Sequence, residues 1–202
     1  MSKPFVLGVT GVIASGKSTV CELLKVLYGF EVIDADAIVH ELYKAGGSGY
    51  EKIRERFGEQ FVNESEVLRG RLRQLVFKNH QKLWILNKTM HPLIWHEVNK
   101  KIDQLKALNE DKSKRLKICL EAFYMEPGDA ASFCDQVLCV DAPNDVIRER
   151  LKKRELSSKE IEKILTLQRK IHPKNFPVIL YNDVGIHELT SKLHAICKQY
   201  TL

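Results

Sequence analysis

The chain has 202 residues, 44% hydrophobic and 29% charged, with 11 Gly and 6 Pro; that suits one globular domain and excludes a disordered or fibrous chain. Its longest apolar runs, Phe5–Val9 and Val137–Val140, fall far short of a membrane span of about 20 residues, and Met1–Gly8 lacks the apolar stretch and cleavage site of a secretory signal. Five cysteines without a C-x-x-C pair argue against a disulfide framework or a structural zinc site, and 32 basic against 26 acidic residues leave three readings of the +6 charge open: nucleic acid, small polyphosphates, or a solvated surface.

In chain order, Phe5–Val9 reads as a strand buried on both faces. Ser18–Tyr28 has helical spacing through Val20, Leu23, Leu24 and Leu27, with Gly29 placed to stop it. Phe30–Ile33 is a second strand, running into Asp34-Ala-Asp36, and Ala37–Lys44 is helical. Gly46–Gly49 is the densest glycine cluster and reads as a loop or hinge. From Tyr50 to about Leu108 apolar residues recur at helical spacing without a strong strand. Asn109–Arg115 reads as a surface loop. Leu116–Leu120 and Val137–Val140 are buried strands. Asn144–Lys153 and Ser157–Lys170 are helices, with Ser157 and Glu160 a candidate capping box. Val178–Tyr181 is a last strand and Ile186–Tyr200 a last helix. Strands alternating with helices predict an α/β fold with a parallel sheet of roughly five strands.

One motif carries the chemistry. Gly11-Val-Ile-Ala-Ser-Gly16-Lys17-Ser18 matches G-x-x-x-x-G-K-[ST] between a predicted strand and a predicted helix. Triphosphate oxygens need many donors converging on a small volume. The main-chain N–H groups of such a loop supply them, and the following helix N-terminus favours anions. Lys17 is placed for the β- and γ-phosphates, the Ser18 hydroxyl for Mg²⁺, and Thr19 for the α-phosphate.

Asp34 and Asp36 stand at the end of the second strand, where open α/β sheets bind ligands. Residues two apart in a strand point to one side, so both carboxylates can serve one site, one as base and the other as an Mg²⁺ holder. The alternative is a helix cap at Asp36. Arg150 and Arg154 are four apart on a predicted helix, which puts both guanidinium groups on one face for phosphoryl transfer, or on a solvated face. His91 precedes Pro92, a residue best tolerated in a first helical turn, which places His91 near a helix start. Arg69 meets an acceptor phosphate or a surface carboxylate. Phe123 and Tyr124 line an acceptor pocket or pack in the core.

Together these residues resemble the dephospho-CoA kinase family of the P-loop nucleoside kinases. The resemblance runs from Val9-Thr10-Gly11 through Thr19, then Val32–Asp36, Leu68-Arg69 with Leu72 and Val76, Met90–Ile94, Val137–Asp141, Arg150, Arg154 and Leu165-Thr-Leu-Gln168. It implies a single P-loop kinase domain, with a core over about 1–44 and 110–202, a helical substrate-binding insertion over about 45–109, and a lid over about 144–172. It implies transfer of the γ-phosphoryl of ATP to the 3′-hydroxyl of dephospho-CoA, with Mg²⁺, in the cytoplasm. The partners expected are those two small molecules and neither nucleic acid nor membrane, in a monomer or small homo-oligomer. The family pattern puts the general base at Asp36 and an arginine near the phosphates at Arg150, with Lys17 as the third catalytic group. ATP is expected against Thr10, Gly11, Val12, Ile13, Ala14, Ser15, Gly16, Lys17, Ser18, Thr19, Arg154 and Asn182. The acceptor is expected against Asp34, Asp36, Arg69 and His91, and Mg²⁺ against Ser18 and Asp34. The chain departs from the pattern at Val12 and Ala14, usually glycines, at Phe176-Pro177, and at Ala122-Phe-Tyr-Met-Glu126, where a Pro-Leu-Leu segment ending in Glu is usual. Two rivals stand beside this reading: another small-molecule or nucleoside monophosphate kinase on the same scaffold, and a non-enzymatic nucleotide- or RNA-binding module.

Overall fold

Six of the seven residues of Phe5–Gly11 (β1) are buried, so this strand needs a hydrogen-bonded neighbour on each edge. In the computed structural model it has both. Val9 stands opposite Glu121 of Lys117–Glu121 (β3), and Gly11 opposite Val140 of Gln136–Asp141 (β4), each pair parallel. Val178–Tyr181 (β5) extends the sheet past β4, with Asp141 opposite Tyr181. Glu31–Asp34 (β2) lies beyond β3, which gives a five-stranded sheet of order β2-β3-β1-β4-β5. The expected α/β class with a parallel five-stranded sheet is the observed one. The structure describes residues 3–109, 115–123, 125, 133–171 and 176–200; residues 110–114 of the predicted Asn109–Arg115 loop, Tyr124 and Glu126 lie outside the described residues.

The order has a consequence for ligands. From β1 the chain moves to one side for β2 and β3, then to the other for β4 and β5. Connections therefore diverge at the carboxyl end of β1, the point where doubly wound sheets open a crevice.

Lys17–Tyr28 (α1) and Ile186–Gln199 (α8) cover one sheet face through Val20, Leu24, Leu189 and Leu193, all sealed against Val9 and Val140. Each such aliphatic contributes about 1.5–3 kcal/mol on burial. In the same layer the Cys119 thiol donates to the Cys21 sulfur across 3.4 Å. Gly29 ends α1 in the left-handed region, φ +69°, with its amide on the Lys25 carbonyl, as the sequence predicted. A second apolar cluster joins Val12 and Ala14 of the loop after β1 to Ile147 and Leu151 of Asn144–Lys152 (α6), and to Ile161 and Leu165 of Ser158–Ile171 (α7). The Ser157–Glu160 capping box forms: Ser157 N–H donates to Glu160 Oε2 at 2.9 Å, and Glu160 N–H returns to Ser157 Oγ at 3.4 Å.

The chain divides into two compact units, Met1–Ile33 with Asn109–Leu202, and Asp34–Leu108. The second unit is helical: Ala35–Leu42 (α2), Ser48–Phe57 (α3), Arg69–Lys78 (α4) and His80–Leu108 (α5), with a short 3₁₀ turn at Glu59–Phe61. It takes in α2, which packs on α3 and α5 and buries Ile38 and Leu42. The Gly46–Gly49 cluster is only partly a loop, since Gly47 caps α3 and Gly49 lies within it.

Pro92 corrects a local expectation. It sits well inside α5, so His91 is not at a helix start but mid-helix and half-buried. Proline removes one ladder donor and crowds the preceding turn. Here α5 runs through it, with Met90, Val98 and Ile102 buried on its packed face. Tertiary packing outweighs the local preference.

Candidate active site

The turn after β1 has the dihedral pattern of an anion nest. Gly11, Ala14 and Gly16 take positive φ, at +152°, +60° and +101°, between residues of ordinary conformation. A side chain at either glycine is excluded by space as well. A Cβ on Gly11 would stand 2.0 Å from the Val140 carbonyl oxygen, and one on Gly16 would stand 2.1 Å from Asn182 Nδ2. Ala14 holds the same region without glycine's freedom, at a cost of about 1–2 kcal/mol, so its neighbours must fix it.

They do so from outside the loop. Arg150 Nη1 donates to the carbonyls of Ala14 and Ser15 at 3.1 and 3.0 Å, and its Nη2 donates to the Asn182 carbonyl at 3.1 Å. Asn182 Nδ2 donates to the Ser15 carbonyl at 2.7 Å. Gln168 Oε1, from α7, accepts the Ile13 N–H at 2.8 Å. Half-burial draws the Arg150 guanidinium below its ordinary pKa by desolvation, yet an arginine stays protonated at any biological pH.

Inside the loop, the Lys17 ammonium donates to the carbonyls of Gly11 at 3.0 Å and Val12 at 3.2 Å, 5.7 Å from the Phe123 ring centroid. The Thr10 hydroxyl holds the Phe123 carbonyl at 3.3 Å. Ser18, on the first turn of α1, donates its hydroxyl to Glu121 Oε1 at 2.8 Å. Thr19 follows it, exposed on α1. Two hard oxygen ligands meet there, a hydroxyl and a carboxylate, the donor set that Mg²⁺ takes alongside phosphate oxygens. On β4, burial pushes the Cys139 thiol up to about 12, with the Asp141 carboxylate adding to the shift.

Several expectations change. β2 ends at Asp34, which is the N-cap of α2 and accepts the Ala37 N–H at 3.0 Å. Asp36 is already in the first helical turn, so the strand rule that put both carboxylates on one side does not apply. The capping role falls to Asp34 and leaves Asp36 with an exposed side chain. α6 stops at Lys152, so Arg154 lies in the turn beyond, exposed, and shares no helix face with Arg150. The Ile13 and Ser15 amides are committed within the protein, Ile13 to Gln168 and Ser15 to the Val12 carbonyl at 3.2 Å. The carboxylate that meets Ser18 is Glu121, a residue the sequence reading did not single out. Its signal in the sequence was an acid directly after a buried apolar run. In the helical unit, Arg69 is exposed at the start of α4, near the buried Tyr43, whose phenol is pushed up to about 12 by burial. Among the described residues no cluster of three or more His, Cys, Asp or Glu forms a metal centre, and no helix is long and apolar enough to cross a membrane.

The chain is similar to known proteins in sequence and in fold. The chain is 34% identical to a dephospho-CoA kinase of Bacillus cereus over 203 residues, covering 98% of each. Its fold matches the crystal structure of TT1252 from Thermus thermophilus at TM-score 0.76, with 26% identity and 98% of each chain covered. The dephospho-CoA kinase of Campylobacter jejuni matches in fold at TM-score 0.56, with 24% identity and 96% of each chain covered. Residues 5–188, which take in the phosphate-type loop, the clamps beneath it and the whole helical unit, match the dephospho-CoA kinase family, and the chain belongs to that family.

Proposed function

We propose that the chain is an ATP:dephospho-CoA 3′-phosphotransferase that works with Mg²⁺. The observation that carries the reading is the nest at Gly11–Gly16, closed by the Lys17 ammonium and opening onto α1. Such a cradle suits the triphosphate end of a nucleotide, and the family supplies the acceptor.

The residues divide the work. On binding, the Lys17 ammonium, still oriented by the Val12 carbonyl, turns its remaining donors to the β- and γ-phosphates. The first-turn amides of α1, at Ser18 and Thr19, face the remaining oxygens. Ser18 and Glu121 would hold Mg²⁺, and their 2.8 Å pairing supports that fit. When bound, the ion offsets charge on the phosphate oxygens. Asp36 takes the proton of the ribose 3′-hydroxyl as general base, a role its exposed first-turn position in α2 supports. Asp34 caps the helix that carries it. Arg69 and His91 serve acceptor recognition from the helical unit. Arg150 and Asn182 act from beneath the loop, since their donors are committed to its carbonyls. We read the enzyme as cytoplasmic, which suits its five free cysteines, and as a monomer or small homo-oligomer.

An ADP-release assay over a panel of acceptors tests this. Dephospho-CoA should be phosphorylated with kcat/KM at least a hundredfold above that for adenosine, AMP or shikimate. Preference for any of those acceptors replaces the reading with another kinase on this scaffold.

A further inference from the structure

The geometry points to Gln168 as a positioning residue for the triphosphate grip: through the peptide between Val12 and Ile13 it sets where the Lys17 ammonium stands. The inference deepens the ATP-binding part of the proposal above and rests on it.

A trans peptide is planar, with its N–H and C=O pointing opposite ways, and no cis bond occurs among the described residues. The Ile13 N–H is drawn outward to Gln168 Oε1 at 2.8 Å. The Val12 carbonyl, on the same plane, therefore turns inward. There it accepts Lys17 Nζ at 3.2 Å and the Ser15 N–H at 3.2 Å. One side-chain oxygen on α7 thus fixes a plane whose other end receives both the catalytic ammonium and the turn that carries Ala14 at φ +60°. Arg150 and Asn182 act differently, since both pull on carbonyls. Among the clamps described, Gln168 alone takes an N–H.

A second observation separates this from mere packing. Gln168 is 2% exposed, and its Nε2 is one of two buried side-chain polar atoms without a partner among the described residues; the other is Ser15 Oγ, in the same loop. A half-satisfied buried carboxamide destabilises the fold relative to an aliphatic side chain. Leu165 and Ile161 on the same helix are the aliphatic residues that α7 uses for packing. A carboxamide at 168 is explained by what its oxygen does to the loop.

The test compares Gln168→Met, which keeps the shape and removes the oxygen's hydrogen bond, with Gln168→Glu, which keeps an oxygen for Ile13. For Gln168→Met the KM for ATP and the calorimetric Kd for ATP should rise at least tenfold. Its KM for dephospho-CoA should stay within twofold. Gln168→Glu should bind ATP at least threefold more tightly than Gln168→Met. An unchanged ATP affinity in Gln168→Met, or a Gln168→Glu no better than it, overturns the inference. In the unaltered chain the Ile13 amide should exchange with solvent at least a hundredfold more slowly than an open loop amide, and fast exchange there overturns it without any variant. Wild-type turnover with unchanged variants refutes the Gln168 role alone. ATP binding without turnover of dephospho-CoA refutes the acceptor instead, and leaves the Gln168 comparison readable from ATP affinity.

Discussion

The Ser18 hydroxyl donates to Glu121 Oε1 at 2.8 Å, which ties the first turn of α1 to the carboxyl end of β3. In the proposed reading both groups would hold Mg²⁺, and a carboxylate that supports an ion through a neighbouring ligand affects its affinity about 10–100-fold. Glu121→Gln should therefore raise the Mg²⁺ concentration for half-maximal turnover by about that factor. Saturating Mg²⁺ should restore much of the rate. Titration of activity against Mg²⁺ at fixed ATP checks this, and an unchanged requirement removes Glu121 from the role.

Lys17→Ala removes the one ammonium that closes the nest. Loss of a preorganised donor to developing charge lowers kcat by about 10²–10³. Turnover should drop at least that far, with a melting temperature within a few degrees of wild type, read by circular dichroism. A Lys17→Ala protein with half the normal rate would sink the cradle reading.

The two acids of the Asp34-Ala-Asp36 segment should respond differently. Asn caps a helix about as well as Asp, so Asp34→Asn should keep stability, whereas Asp34→Ala should lose about 1 kcal/mol by denaturant titration. Asp36→Asn should lower kcat about 10²–10⁴-fold and leave the ATP dissociation constant within a factor of two. Near-normal turnover of Asp36→Asn would take the base away from Asp36.

Burial pushes the thiols of Cys134 and Cys139 up to about 12, and Cys21 is also raised, first by its hydrogen bond with Cys119 and then by burial. A thiol raised in the fold binds its proton more tightly there than in the unfolded chain. The stability linked to it is whole below the unfolded value, near 8.5, and is lost as pH climbs towards about 12. The melting temperature should fall steadily above about pH 9. All five cysteines are buried and free, so a thiol reagent at pH 8 should label them only on unfolding. Rapid labelling of native protein would contradict the burial.

The strand, loop and helix around Gly11–Ser18 were legible because apolar burial, glycine dihedrals and helix start agree at one place. The Ser157–Glu160 cap and the Gly29 stop were legible for the same reason: each is set within a few residues. What was not legible depends on partners far along the chain. Glu121 reads as a strand end until Ser18 is brought to it. Gln168 reads as one more polar position on an amphipathic helix until the Ile13 amide meets it. Arg154 leaves the helix face of Arg150 because α6 ends two residues short of it, in a turn where Glu155 takes φ +61°. Pro92 misleads because its intrinsic preference yields to the packing of α5.

Cys21 lies three residues after Ser18 on α1, and Cys119 two before Glu121 on β3. The sulfur contact at 3.4 Å is thus one of the packing contacts between helix and strand. The gap between the serine oxygen and the glutamate oxygen lies between the same two elements, so it is exposed to the girth of two atoms deep in the protein. A bulkier side chain at either cysteine would lever that gap open at a distance, with neither oxygen altered.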